Sequence, residues 1–205
     1  MIKRKVLQLY AGLVLLGFSS ALMVRSNLGL TPWDVLHDGL SRITGWSFGS
    51  IVVACGAVVL LLWIPLRQTP GFGTISNVLV IGLVADQTLV LMPAQAGGHR
   101  YLLLILGTVL NGVATAAYIG AGLGPGPRDG LMTGIARRTD LSLGHVRGAI
   151  ELGVLAIGSL LGGRIGLGTV FYAVAIGPIV HRMARVFTLS CSGAPAARKS
   201  RSAEL

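Results

Sequence analysis

Six apolar runs, each about 18 residues or longer, constrain this chain more than any other feature. They lie at 6–24, 48–66, 74–92, 101–119, 143–161 and 169–187. In hydrocarbon, backbone N–H and C=O groups have no water to bond. A spanning segment must satisfy them within itself as a helix, or around a closed barrel. Runs of this length read as helices, because a barrel strand needs only about ten residues. The expected fold is an all-α integral membrane protein with six transmembrane helices. Composition agrees: 12% of residues are charged and mean hydropathy is +0.76, whereas soluble domains carry about 25% charged residues.

The net charge of +10 raises the question of nucleic acid, but its distribution answers against it. With a cytoplasmic N-terminus, six spans put Lys3, Arg4, Lys5, Arg67, Arg128, Arg137, Arg138, Arg147, Arg182, Arg185, Arg198, Lys199 and Arg201 inside. Arg25, Arg42, Arg100 and Arg164 fall outside. This is the positive-inside pattern, strengthened by attraction of cations to anionic inner-leaflet lipid. The expectation is a multi-pass protein with both termini cytoplasmic, the bilayer as its partner and no nucleic acid. Residues 190–205 read as a basic, disordered cytoplasmic tail. Cys55 falls in a span and Cys191 in the tail, so neither a disulfide framework nor a metal site is expected.

Shifted by 95 residues, the chain aligns to itself without a gap. Gly12, Gly17, Leu28, Gly29, Pro32, Asp34, Gly39, Arg42, Thr44 and Ser47 meet Gly107, Gly112, Leu123, Gly124, Pro127, Asp129, Gly134, Arg137, Thr139 and Ser142. Later, Gly71, Gly73 and Thr74 meet Gly166, Gly168 and Thr169. Two unrelated apolar stretches would not match at Gly, Pro, Asp and Thr, so this is an internal repeat. Residues 1–100 form the first copy and 101–189 the second. The first apolar run therefore corresponds to an internal one, which argues against a cleaved signal peptide. Three spans is an odd number, so the second copy enters the membrane from the opposite side. The expectation is two inverted three-helix repeats, an arrangement many secondary transporters share.

Each copy carries one short polar segment after its first span: "LGLTPWDVLHDGLSRITG" and "LGPGPRDGLMTGIARRTD". Thr31 suits an N-cap with Pro32 at the first helical position; Gly126 and Pro127 repeat the arrangement. Asp34 and Asp129 then fall in the first turn, where a carboxylate complements the helix dipole and can accept first-turn N–H groups. Helices over 32–43 and 127–138 would be about 18 Å long, against a hydrocarbon core of about 30 Å. Each is too short to span and must be interfacial or re-entrant. In the first, Val35, Leu36, Leu40 and Ile43 form an apolar arc, opposite Asp34, His37, Asp38 and Ser41. Gly29 and Gly124 permit a sharp turn before each helix, and Ser47 and Ser142 can cap the spans that follow.

Ionisable groups within spans are costly and default to functional candidates. Glu151 lies near the middle of the fifth span, with Arg147 one turn earlier on the same face. Together with Asp34, Asp129, Arg128 and Asn27, they are the candidates for a substrate or ion site; a structural ion pair is the competing reading for Glu151 and Arg147, and capping alone for the two aspartates. Asp86 and His181 occupy matching positions and are secondary candidates, although both sit near span ends where snorkelling suffices. Asn77 and Asn111 suit interhelical hydrogen bonds. Trp46, Trp63 and Tyr101 suit interfacial anchoring.

No phosphate loop, metal-ligand spacing or nucleophile motif stands in the chain, so neither an enzyme nor a cofactor is expected. The twice-written segment, with Ser-x-Gly opening the next span, resembles the YczE/YyaS/YitT family of bacterial integral membrane proteins over most of residues 6–187. The resemblance implies a bacterial cytoplasmic-membrane protein, with motif positions at Gly29, Pro32, Asp34 and Gly39 and at Gly124, Pro127, Asp129 and Gly134. It carries no substrate or mechanism. Two functions fit these features. One is a transporter or permease for a small solute or ion, with its site between the repeats. The other is a non-transporting membrane partner of another enzyme system, acting as a homo-oligomer or with a second protein.

Overall fold

The computed structural model describes residues 2–93 and 97–187. The expected tail at 190–205 lies outside the described residues. Among the described residues the chain forms α1 (Ile2–Ser26), α2 (Pro32–Thr44), α3 (Phe48–Leu66), α4 (Phe72–Leu91), α5 (His99–Gly120), α6 (Pro127–Thr139), α7 (Leu143–Leu160) and α8 (Leu167–Phe187). All but α2 and α6 are long and apolar enough to cross a membrane. α2 and α6 begin and end 95 residues apart.

Local chemistry sets the helix ends. The Thr31 hydroxyl accepts from the Asp34 N–H at 3.1 Å, and Pro32 opens α2. α6 opens on Pro127 after Gly126, which has no side chain to cap with. Gly45 closes α2 in the left-handed conformation, its N–H bonding Ser41 O. Ser47 and Ser142 cap α3 and α7 by accepting from Ser50 N and His145 N.

α1 and α5 pack on each other at the centre; α4 lies against α1, and α8 against α5. The α1–α5 crossing is close because both helices present glycine there. A Cβ added to Gly12 would stand 2.8 Å from Tyr118 N, and one on Gly107 3.1 Å from Ser19 O. Such small-residue contacts replace the hydrophobic drive that lipid does not supply. The short helices cross over: α2 packs on α7 and α6 on α3.

The crossing-over is fixed by hydrogen bonds that recur at the 95-residue offset. Gly168 N donates to Leu28 O at 2.8 Å, and Gly73 N to Leu123 O at 2.9 Å. Thr169 Oγ1 accepts from Leu30 N, while Thr74 Oγ1 donates to Pro125 O. Gly29 and Gly124 turn the chain into these contacts at φ +128° and +124°, values open to glycine and strained for other residues.

Of the apolar arc of α2 only Val35 is buried, and Ile43 is 63% exposed. Asp34, His37 and Asp38 are buried instead, at 3%, 1% and 6% exposure. The buried face of α2 thus mixes these polar groups with Pro32, Trp33, Val35 and Gly39. Trp63 is not an interfacial anchor. It is buried, and its Nε1 donates to Pro127 O at 3.0 Å.

Candidate functional site

The N-terminal ends of α2 and α6 meet at a cavity of about 120 Å³. Its wall is drawn from both copies at matching positions: Trp33 and Arg128, Asp34 and Asp129, Ser20 and Thr115, Asn77 and Tyr172, Gly56 and Glu151. The framework is thus repeated while the chemistry differs from one side to the other. The first copy supplies Asp34 and His37, and the second supplies Arg128, Asp129, Arg147 and Glu151.

The charged groups are individually held. Asp34 Oδ1 lies 3.2 Å from His37 Nδ1, and both side chains are buried. Thr31 caps α2 and Asp34 stands in its first turn, as expected, with the Asp34 carboxylate also paired to His37. Asp129 accepts a short hydrogen bond from the Tyr118 hydroxyl on α5. Glu151 Oε1 accepts from Arg147 Nε at 2.8 Å along α7. The Arg128 guanidinium lies over the Trp33 ring, 4.8 Å from its centroid. Asn111, also in the wall, donates to Ser19 and accepts from Tyr172, tying α1, α5 and α8 together.

Of the site candidates, Asp34, Asp129, Glu151, Arg147 and Arg128 all line this cavity. Pro32 and Pro127 line it too, while Gly29, Gly39, Gly124 and Gly134 shape the approach of the short helices. Asn27 does not reach it. It ends α1 at φ +52°, its Oδ1 accepts from Arg164 and its carbonyl from Arg100. Asp86 bonds Ser47 and Gly49 N at the start of α3, and His181 bonds Arg185. Neither lines the cavity. His37, Tyr118 and Tyr172 are wall residues that sequence patterning did not single out as site candidates. Ser20 and Thr115 had a usable signal: both are hydroxyls at the same repeat position.

A second polar cluster stands beside α2. Asp38 accepts from Arg164 at both carboxylate oxygens, at 2.7 and 3.0 Å, and from Arg42 at 3.1 Å. Arg164, between α7 and α8, also reaches Val24 O and Asn27 Oδ1. Burial pushes the Asp38 carboxyl up, but its hydrogen bonds and charge contact with Arg164 outweigh this and hold it below the usual carboxylate value. Arg25 donates to Leu89 O and Arg100 to Ser26 O and Asn27 O. The Arg100 and Arg164 cations thus satisfy carbonyls at the C-terminal end of α1, where positive charge is favoured.

Six apolar helices around a cavity lined by charged residues define a multi-pass membrane protein. The chain belongs to the family described as "Family of unknown function (DUF6198)", whose model matches residues 3–185. It is 42% identical over 172 residues to an uncharacterised protein of Haemophilus influenzae, covering 82% of this chain and 78% of that one. It is 33% identical over 175 residues to the uncharacterised membrane protein YczE of Bacillus subtilis, covering 84% and 81%. YyaS of the same organism is 28% identical over 178 residues, covering 83% and 87%. No solved structure matches the chain.

Proposed function

We propose that this protein is a small-solute transporter of the cytoplasmic membrane, built from two inverted three-helix repeats, with the cavity as its substrate site. One observation carries the reading: matching positions of the two copies face each other across a single cavity. A pseudo-two-fold axis in the membrane plane would produce that meeting, and transporters of this design bind substrate at the repeat interface near the midplane. The swapped hydrogen bonds at the 95-residue offset support the same axis. Intramembrane ion pairs and carboxylates aimed at a cavity also favour substrate handling over packing alone.

The two ends of the site differ. α2 is held to the α7–α8 connection by Asp38 and Arg164. The matching positions at the α3–α6 end are Thr133 and Thr69. Only the first pair can form an ion pair. We read the end with the ion pair as the extracytoplasmic gate. This orientation agrees with Arg25, Arg42, Arg100 and Arg164 at that end and the larger number of cations at the other.

Uptake into vesicles reconstituted with the pure protein tests the proposal, using labelled small amino acids, monovalent cations and monocarboxylates. At least one compound is taken up by the wild type, and Asp129→Asn and Glu151→Gln abolish that uptake while remaining folded. Uptake of none of these compounds, or uptake indifferent to both substitutions, contradicts it.

A further inference from the structure

We propose that the cavity takes a small zwitterion of the amino-acid class, with one carboxylate and one ammonium group. The proposal rests on the reading of this cavity as the substrate site, and names what fills it.

The carboxylate half follows from donors left without acceptors. The Arg128 guanidinium makes no hydrogen bond among the described residues, and its stacking on Trp33 leaves the in-plane N–H groups open. It stands in the first turn of α6, whose N-terminus receives no side-chain cap, so backbone N–H groups there lie beside both Arg128 and the Asp129 carboxylate of the same turn. Asn77 is an independent pointer. Its side chain lines the cavity, the residue is only 8% exposed, and it has no hydrogen-bond partner among the described residues. Its Nδ2 lies 3.3 Å from where a Gly126 Cβ would stand, at the start of α6, with the Tyr118 hydroxyl at 3.1 Å and Asp129 Oδ2 at 3.0 Å from the same point. Trp33 Nε1, in the same wall, is a buried donor with no partner among the described residues, which is costly; a ligand carboxylate here can accept from these donors together with Arg128.

The ammonium half follows from acceptors left without donors. Asp129 uses Oδ2 for Tyr118 and Glu151 uses Oε1 for Arg147. Their other oxygens, Oδ1 and Oε2, accept from no described residue. A bare anion would satisfy Arg128 but add charge beside these carboxylates, and a bare cation would do the reverse. A zwitterion answers both at once.

Thermal-shift and calorimetric titrations of the full chain in lipid nanodiscs test this, with glycine, alanine, acetate and methylammonium as probes. Glycine or alanine is expected to raise the melting temperature and bind saturably, and acetate and methylammonium to do neither at tenfold higher concentration. Arg128→Ala is expected to abolish binding. Asn77→Ala, a smaller change that keeps the proposal testable if the first variant misfolds, weakens it by about tenfold. Binding of acetate or methylammonium as tight as that of the zwitterions overturns the proposal. So does a failure of both zwitterions to bind the folded wild type. Saturable binding of a zwitterion that never enters reconstituted vesicles upholds the ligand class and overturns the transport reading instead.

Discussion

Arg128 lies over the indole of Trp33, 4.8 Å from the ring centroid, and these two residues hold the same position in the two copies of one motif. Each copy begins its short helix with a proline followed by one of them. Two tryptophans there would lose the cation, and two arginines would repel each other. The differing residues make an attractive pair where the copies meet.

That pair predicts a measurable coupling. In a double-mutant cycle of Trp33→Leu and Arg128→Met, the interaction energy in folding stability is expected to be about 0.5–2 kcal/mol. Denaturation of the four proteins in mild detergent measures it. Additive effects within error would mean that the stacking contributes nothing.

The Asp38 cluster predicts a one-sided pH effect. Its folded carboxyl titrates below the ordinary value, which is about 3.9. The stabilisation it contributes is therefore complete above about pH 4. It is lost as pH falls further, through the depressed folded value. The wild type is expected to lose melting temperature on acidification in that window, and Asp38→Asn to lose less of it. Parallel curves for the two proteins would remove the cluster from the account.

Breaking the same cluster from the cationic side leaves a buried carboxylate behind. Arg164→Ala is expected to cost about 3 kcal/mol, the lower end for breaking a buried pair, since the guanidinium is 29% exposed and Arg42 remains. It is also expected to raise the rate of substrate exchange across the gate proposed at Asp38 and Arg164. A stable Arg164→Ala protein with unchanged exchange contradicts both parts.

Thr74 and Thr169 predict equal costs at two distant sites. Both side chains are buried and each joins its helix to the opposite copy's short segment. Thr74→Val and Thr169→Val should each cost about 1–3 kcal/mol, the penalty for a buried partner left unsatisfied, and the double variant should cost close to their sum. Chemical denaturation checks this. A large cost at one site and none at the other would break the equivalence of the two crossings.

Much of this architecture was legible in the sequence, for physical reasons. Pro32 and Pro127 mark helix starts because proline loses no hydrogen bond there, and the structure begins α2 and α6 at those residues. The six spans were legible from length and apolarity. The facing of α2 was not, because an apolar arc points to a core in water but to lipid in a membrane. Trp63 read as an anchor from its place near a span end, yet it fills the space beside Gly130. Asp38 and Arg164 are 126 residues apart, and no local pattern joins them. Tyr118 and Tyr172 were also hidden, since an aromatic in an apolar span looks like any packing residue until its hydroxyl finds Asp129 or Asn111.

A reversible cross-link tests most directly whether the cavity serves alternating access. Gly134 on α6 faces Leu66 on α3, and a Cβ at Gly134 would stand 3.3 Å from that of Leu66, near the distance a disulfide spans. The matching contact at the other end is that of Gly39 with Leu161. In a protein carrying Leu66→Cys and Gly134→Cys, the account predicts that oxidation stops uptake into vesicles and reduction restores it, while the wild type treated alike keeps its uptake. Undiminished uptake with the cross-link in place would contradict it.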